Sequence, residues 1–471
     1  MTAGFVGADV AQLRDLATTM TGAGSSLTNI ENSLTALVTN AQWAGTDASA
    51  FVAEWQNTHR AKLRSVSSIL LGVATDLRRN ASEQESASQS DGGAAGAASG
   101  GAAGTAAEQS PEATLDAFAE DDKRDPAAVA EWWNSLDASE KAALIASNPE
   151  LVGVMDGIDY TSRSAANTET LNDLIADARA RGDDTSLEYL RAVKDAMKGG
   201  THPVKQLVSV EAGPPPLAAI SVGNLDEAKN ASFLIPGMGS NSPSTPGDLT
   251  ASAGDLWMEQ RNIAQQNGLS KDIAVVAWMG YDSPEMPVGG SSLDTSVFKG
   301  DLAKSGGAKL GDALMGYDAV RDASGTDSHV SVDAHSYGST TAADTLASLP
   351  GGVVDSFVAI GSAGIEKSIG GASGLHVPDG SVYAIQGVES LPAAEVGRVG
   401  SGRDDPSEAS WGAVRLNSAF EWNGGSPTSG SNLHDLRTTN DFFRGYLNPG
   451  TTSLNNVALV NMGLGDDASR Y

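Results

Sequence analysis

The chain has 471 residues, and its 30 Lys and Arg against 59 Asp and Glu give a formal net charge of −29. This excess of negative charge repels nucleic-acid phosphates and anionic lipid headgroups, so no nucleic acid is expected as a partner. The absence of cysteine excludes disulfides, thiolate metal sites and cysteine nucleophiles. No apolar run approaches the ~20 residues of a transmembrane segment, and no signal-peptide pattern opens the sequence.

The first 85 residues carry two apolar stripes with helical spacing. Intervals of three and four residues separate Leu27, Ile30, Leu34 and Leu37 in the first arm, and Leu63, Val66, Leu70, Val73 and Leu77 in the second. Trp43-Ala44-Gly45 lies between the arms, where the glycine permits a turn. Residues 1–85 are therefore predicted to form a helical hairpin whose single stripe must dock on another surface.

This hairpin resembles the small Trp-x-Gly hairpins of type VII (ESX) secretion systems over about residues 5–85. The resemblance implies leaderless export or docking on a Trp-x-Gly partner or on a second copy of the chain. The alternative is that Trp43 only fills the hairpin turn and the segment is a dimerisation module. The expected location is accordingly either secreted, by a type VII-like route, or cytoplasmic.

Residues 86–112 are rich in Ala, Gly and Ser, and a segment of this composition cannot bury enough apolar surface to order itself, so it is predicted to be a flexible linker. Residues 113–204 read as helices. From 205 to 471, short apolar runs alternate with helix-length segments, which indicates an α/β domain with a largely parallel sheet. The predicted strands are 217–222, 231–237, 272–280, 329–336, 354–362 and 381–387.

The strongest chemical signal is Asp333-Ala334-His335-Ser336-Tyr337-Gly338, between a predicted strand and a helix of small residues. A nucleophile elbow needs this context, because the serine lies on a sharp turn. Small residues are needed two positions before the serine and two positions after it. The alternative is an ordinary turn between strand and helix. Ser336 is the candidate nucleophile, and His335 is expected to point away from it and to pack the elbow.

Only His376 and His434 follow Ser336 in the sequence. In α/β hydrolases the order is nucleophile, acid, histidine. His434 lies in a Gly/Ser-rich loop beyond the last predicted strand, and this position favours it as the base over His376. Glu389, just after the strand at 381–387, is the first candidate for the acid. Three later carboxylates stay open as alternatives: Glu395, Asp404 and Asp405.

An oxyanion hole should combine the N–H of Tyr337 with one from the loop after an earlier strand. That loop is Ile235-Pro236-Gly237-Met238-Gly239, and the Met238 N–H is the candidate donor. The same loop lacks the third glycine of a dinucleotide fingerprint, because Ser242 stands there. No metal or cofactor motif is present, so no cofactor is predicted.

A second resemblance covers about residues 125–465. Four motifs occur together in this order: Ile235-Pro236-Gly237, the run 277–284 (AWMGYDSP), His335-Ser336-Tyr337-Gly338-Ser339, and Ile360-Gly361-Ser362-Ala363-Gly364. As a set they resemble an actinobacterial α/β-hydrolase family, often fused to an ESX-like hairpin. The resemblance implies Ser336 as nucleophile and His434 as base. The sequence departs from the family pattern at Ala334 and Glu389, where Gly and Asp are usual, and at Asp333, a strand position that is usually apolar.

The sequence therefore predicts an α/β-hydrolase-type, mostly parallel sheet, preceded by an all-α hairpin and a helical region. The predicted activity is that of a serine hydrolase, an esterase or lipase-like enzyme acting on an acyl ester or lipid-like small molecule. The alternative is a secretion or assembly protein whose hydrolase-like domain is a scaffold. A long distance between His434 and Ser336 would favour that alternative.

Overall fold

The structure is a computed structural model that describes residues 110–121, 124–199, 203–284, 300–387, 401–423, 426–439 and 444–471, together with Val52 alone. Apart from Val52, these residues belong to one compact unit, Glu108–Tyr471. Except for Val52, the predicted hairpin at 1–85 lies outside the described residues, as does most of the predicted linker at 86–112. No helix among the described residues is long and apolar enough to cross a bilayer.

The unit begins with six helices. They are α1 (Pro111–Glu120), α2 (Pro126–Ser135), α3 (Ala138–Ser147), α4 (Pro149–Val154), α5 (Tyr160–Arg181) and α6 (Asp184–Ala196). Aspartates cap several of them; Asp137, for example, forms a capping box with Glu140 at the start of α3. A small apolar cluster centred on the fully buried Trp133 joins α1 to α5. The Trp133 indole N–H donates to Asp159 at 2.7 Å, and the same carboxylate group caps α5.

The sheet and its helices follow. The elements are β1 (Lys205–Glu211), β2 (Leu217–Val222), β3 (Asn230–Ile235), α7 (Thr245–Asn267), β4 (Ile273–Met279), α8 (Asp301–Ser324), β5 (His329–His335), α9 (Gly338–Leu346), β6 (Ser356–Ile360), β7 (Val382–Ile385), β8 (Val414–Leu416), β9 (Glu421–Asn423), β10 (Ser426–Thr428) and α10 (Thr452–Asn461). β9 and β10 form a separate antiparallel pair.

The main sheet has eight strands in the order β1-β2-β4-β3-β5-β6-β7-β8. β2 pairs antiparallel with both β1 and β4, and the pairs from β4 to β8 are parallel. β2, β3, β4, β6 and β7 are buried along their whole length, as the continuous apolar runs predict. The predicted fold class, a mostly parallel sheet of the α/β-hydrolase type, is confirmed.

Two apolar cores cover the two faces of this sheet. On one face α8 and α9 pack against Val330, Val332 and Ala334 of β5. On the other face lie α6, α7 and α10 with the carboxyl-terminal half of α5. The carboxyl ends of β3 and β5 lie side by side, since Ile235 pairs with Ala334. The loops that follow these two strands therefore meet at one edge of the sheet, which is where open α/β sheets place their sites.

Candidate active site

Ser336 occupies the turn between β5 and α9 in a strained backbone conformation. Its φ of 52° is the only positive φ of a non-glycine residue among the described residues. An L-residue is held in this region only where the surrounding structure enforces it, and such strain is typical of functional turns. The Ser336 N–H donates to the Ile360 carbonyl at 2.9 Å, so β6 holds the turn in place.

Two glycines permit the close packing around this turn. A Cβ at Gly237 would lie 2.7 Å from the Ser336 Cβ and 3.3 Å from its Oγ. A Cβ at Gly338 would lie 2.4 Å from the Pro236 carbonyl oxygen. The 2.7 Å and 2.4 Å distances are shorter than any real Cβ contact. The β3 loop and the elbow can therefore pack together only if both positions are glycine. This contact brings the backbone of Gly237 beside the Ser336 hydroxyl.

His434 reaches the nucleophile position from far along the chain. Its Nε2 lies 2.9 Å from the Ser336 Oγ, within hydrogen-bond range. The other downstream histidine, His376, is bound elsewhere: its N–H donates to the Leu346 carbonyl and its Nδ1 to the Leu349 carbonyl. These carbonyls lie at the far end of α9, one helix length of ~13 Å from the elbow. The structure thus brings His434, and not His376, to Ser336.

His335 contacts the base rather than only packing the elbow. Its Nε2 donates to the main-chain carbonyl of His434 at 2.6 Å, and the two rings lie 4.9 Å apart between centroids. Burial, with a smaller contribution from His434, lowers the pKa of His335 to about 3. The ring is therefore neutral at working pH, and because a carbonyl only accepts, the Nε2 carries the proton. His335 fixes the backbone from which the His434 side chain projects.

The two candidate oxyanion donors lie on either side of the elbow. Tyr337 is the N-cap residue of α9, and Met238 lies in the loop after β3. Neighbouring contacts hold the Met238 segment. The Tyr281 hydroxyl donates to the Pro236 carbonyl at 2.7 Å, and the Gly239 N–H donates to the Pro284 carbonyl at 2.8 Å. The Met238 segment is thus supported from the loop after β4.

The candidate acids divide between described and undescribed parts of the chain. Glu389 and Glu395 lie outside the described residues. Asp404 forms a backbone bridge with Ile365. One carboxylate oxygen of Asp405 accepts hydrogen bonds from the Ser407 N–H at 2.9 Å and hydroxyl at 2.7 Å, as in a local turn. Glu389 therefore remains the predicted acid of the triad.

Asp333, the polar departure in the middle of β5, is fully buried. The Asn461 side-chain amide of α10 donates to its Oδ2 at 2.6 Å. Burial raises the pKa of Asp333 to about 7, although the Asn461 hydrogen bond acts in the opposite direction. The carboxyl is thus largely protonated below neutral pH, which reduces the cost of burying it. The elbow keeps its strained geometry with Asp333 in this position.

A cavity of about 430 Å³ opens beside the elbow. Gly237, Met238 and His335 form its wall next to Ser336. The first turns of α7 form a second wall, and residues 435–439, directly after His434, form a third. Among the described residues, no group of three or more His, Cys, Asp or Glu is arranged to hold a metal ion.

Comparison with known proteins agrees with the fold. Residues 214–397 match the family model described as alpha/beta hydrolase. The matched hydrolase segment runs from just before β2 to beyond β7 and includes Met238 and Ser336. It ends before His434.

Relatives of the chain occur in mycobacteria. The chain is 29% identical over 307 residues to the uncharacterized protein Rv2079 of Mycobacterium tuberculosis, covering 58% of this chain and 44% of the relative. It is also 29% identical over 231 residues to the uncharacterized protein Mb0988c of Mycobacterium bovis, covering 47% of this chain and 81% of that protein. The chain thus spans less than half the length of the first of these relatives.

Proposed function

We propose that the protein is a serine hydrolase that cleaves carboxylic esters, with Ser336 as nucleophile and His434 as base. The observation that carries the proposal is the 2.9 Å distance between His434 Nε2 and Ser336 Oγ, at a serine with a φ of 52° between a strand and a helix. Nucleophile and base within hydrogen-bond reach are the signature of an activated serine. The hydrolase scaffold agrees with this chemistry.

In the proposed reaction, Ser336 Oγ attacks the acyl carbon while His434 Nε2 takes the hydroxyl proton. The tetrahedral intermediate collapses, the bond to the leaving alcohol breaks, and that alcohol takes the proton from His434 Nε2. Water then attacks the acyl-enzyme, again with His434 as base, and releases the acid and the free serine hydroxyl. Atoms and protons balance without a cofactor.

Two further roles belong to the proposal. The N–H groups of Tyr337 and Met238 would stabilise the developing oxyanion, since backbone donors fixed before the reaction need no reorganisation. Glu389 would orient the His434 imidazole through its second nitrogen, as the acid of a triad does.

The test is covalent labelling of the full chain with a fluorophosphonate probe. We expect labelling of the wild type and of Ser348→Ala, which removes an exposed hydroxyl after α9, and no labelling of Ser336→Ala. Ser336→Ala should also abolish turnover of model acyl esters while its circular dichroism matches the wild type. Turnover by Ser336→Ala at the wild-type rate would contradict the proposal.

The scaffold alternative requires a base too far from the serine to act. The 2.9 Å distance favours the enzyme.

For residues 1–85 we propose secretion or partner docking on the sequence pattern alone. Substituting Trp43 by Ala in the full chain should weaken self-association or binding to a Trp-x-Gly partner, measured by analytical ultracentrifugation. Unchanged association would contradict that role.

A further inference from the structure

Three donors hold the main-chain carbonyl of the proposed nucleophile. The Ser339 hydroxyl donates to the Ser336 carbonyl at 2.6 Å, the Ser339 N–H at 3.1 Å and the Ala363 N–H at 3.3 Å. The hydroxyl contact is the shortest of the three and lies within the ordinary O–H···O range. Because the Ser336 N–H is bound to the Ile360 carbonyl, both polar groups of this residue's backbone are fixed.

A second serine continues this contact into the loop after β6. Ser362 Oγ lies 2.6 Å from Ser339 Oγ, and it accepts the Gly364 N–H at 3.0 Å. Both serine side chains are buried. The contact therefore joins the sequence motif at 335–339 to the motif at 360–364.

The direction of each hydrogen bond follows from the number of protons available. A carbonyl only accepts, so the single proton of the Ser339 hydroxyl is used on Ser336. The proton between the two hydroxyls must then come from Ser362. We call Ser362 and Ser339 the serine relay, because the bonds run in one direction from the Gly364 N–H to the Ser336 carbonyl. Hydrogen bonds aligned in this way polarise one another in a protein interior.

The relay ends on the peptide group that carries a proposed oxyanion donor. The Ser336 carbonyl and the Tyr337 N–H belong to one planar trans peptide group, so they point in opposite directions. A donor that fixes the carbonyl therefore also fixes the direction of the Tyr337 N–H, and polarising the carbonyl strengthens that N–H as a donor. The relay also opposes relaxation of Ser336 from its φ of 52°, a conformation that persists only where its surroundings enforce it.

We propose, on the basis of the hydrolase function proposed above, that Ser339 and Ser362 are positioning residues that orient the peptide between Ser336 and Tyr337 for oxyanion binding. Both act through this peptide, since their side chains are buried. A donor that is aligned with the transition state and not with the bound substrate contributes to kcat and not to KM. Loss of the relay should therefore lower kcat and leave KM nearly unchanged.

Ser339→Ala tests the relay at the nucleophile. The two backbone donors of the Ser336 carbonyl stay in place, so the carbonyl keeps partners in this variant. The full chain is assayed for kcat and KM with p-nitrophenyl butyrate and for its rate constant of inactivation by a fluorophosphonate probe. We expect kcat and the inactivation rate constant to fall about tenfold or more, with KM within about twofold of the wild type.

Ser362→Ala tests the first step of the relay. This variant keeps every contact that Ser339 makes with Ser336, so it keeps the test decisive even if Ser339→Ala does not fold, as circular dichroism would show. We expect kcat to fall about threefold, because the Ser339 hydroxyl loses the donor that polarises it. The double variant should match Ser339→Ala within about twofold, since Ser362 acts on the carbonyl only through Ser339.

Thr345→Val is the matched control on the same helix. The buried Thr345 hydroxyl also donates to main-chain carbonyls, those of Gly307 at 2.9 Å and Thr341 at 3.0 Å, but it makes no contact with the elbow. Its loss should reduce stability and leave kcat and the inactivation rate constant within about twofold of the wild type.

The outcomes separate the relay from the hydrolase. Turnover by the wild type together with an unchanged kcat in Ser339→Ala and Ser362→Ala would overturn the relay and leave the hydrolase standing. Losses that multiply in the double variant would show that the two serines act independently, and an equal loss in Thr345→Val would show a general effect of buried hydroxyls; either result would overturn the relay. A wild type that is neither labelled nor active would overturn the hydrolase and the relay together.

Discussion

The middle of β5 and its carboxyl end carry two ionisable residues on the same face of one strand. Asp333 and His335 are two positions apart, while Val330, Val332 and Ala334 fill the opposite, apolar face. Burial favours the uncharged form of both groups: it raises the pKa of Asp333 to about 7 and lowers that of His335 to about 3. Asp333 accepts a hydrogen bond from the Asn461 side chain inside the fold, whereas His335 donates one to the main-chain carbonyl of His434 at the cavity. One strand face thus carries a structural contact and a contact that positions the proposed base.

The two groups act in opposite directions on stability as pH changes. The unfolded chain loses the Asp333 proton near the ordinary pKa of 3.8, and the folded chain keeps it until about 7. The stability that Asp333 contributes therefore falls as pH rises through this range. Unfolded His335 gains a proton below its ordinary pKa of 6.5, and the folded residue only near 3. Its contribution therefore falls as pH decreases from 6.5 to 3.

The largest effect on activity is expected from replacing His434, whose main-chain carbonyl accepts the hydrogen bond from His335. His434→Ala should lower kcat/KM for a model ester by about 10³-fold or more, because the serine loses its base. Its free energy of unfolding should stay within about 1 kcal/mol of the wild type, since its carbonyl, which His335 contacts, is unchanged. Steady-state kinetics and urea unfolding measure the two quantities. His376→Ala is the control for activity, and a comparable loss of activity in that variant would contradict the assignment.

Replacing the positioning residue should cost less. His335→Phe keeps a ring but removes the N–H donated to the His434 carbonyl at 2.6 Å. We expect kcat to fall about tenfold to a hundredfold through misplacement of the base. His335→Gln can donate to the same carbonyl and should recover much of this loss.

The pH profile separates positioning by His335 from proton transfer by it. Because the pKa of His335 lies at about 3, this residue should contribute no ascending limb to kcat/KM above about pH 4. His335→Gln should therefore keep the wild-type pH profile at a lower rate. Loss of an ascending limb near neutrality in this variant would show that His335 itself transfers the proton.

The sequence predicted the elements whose burial is complete on both faces. Six predicted strands correspond to β2–β7 within a few residues, because central strands give continuous apolar runs. β1 and β8 were missed, and they are the two edge strands of the sheet. Their burial is interrupted, as the intermediate and exposed positions of Val414 and Arg415 in β8 illustrate. Edge strands lack the second covered face that produces such runs.

The candidate site likewise contains residues that the sequence predicted and a contact that it did not. Ser336 was predicted from local context, and His434 from chain order, and the structure brings their side chains together. The hydrogen bond from His335 to the His434 carbonyl spans 99 positions, and no spacing rule expresses a contact between a strand end and a returning loop. The expectation that His335 only packs the elbow therefore missed its contact with the base.

A smaller effect is expected in the middle of the strand. Asp333→Asn removes the ionisable group while keeping the shape of the side chain. The stability of the variant relative to the wild type should improve as pH rises from 4 to 7, by at most ~1.4 kcal/mol per pH unit. Urea unfolding at pH 5 and pH 7 measures this change, and kcat/KM should be unaffected. Parallel stability at the two pH values would mean that Asp333 is ionised in the folded protein.

The smallest effect is expected on the apolar face, at the departure from the usual elbow pattern. Ala334 is fully buried in the core formed with α8 and α9, so its methyl group lies on the side of β5 away from Asp333 and His335. Ala334→Gly restores the usual residue but loses a buried methyl group and adds backbone freedom, at a cost of about 1–2 kcal/mol. Activity should stay within about twofold of the wild type. If glycine instead raised both stability and kcat/KM, the alanine would be straining the elbow, and the apolar face of β5 would be part of the site rather than only its support.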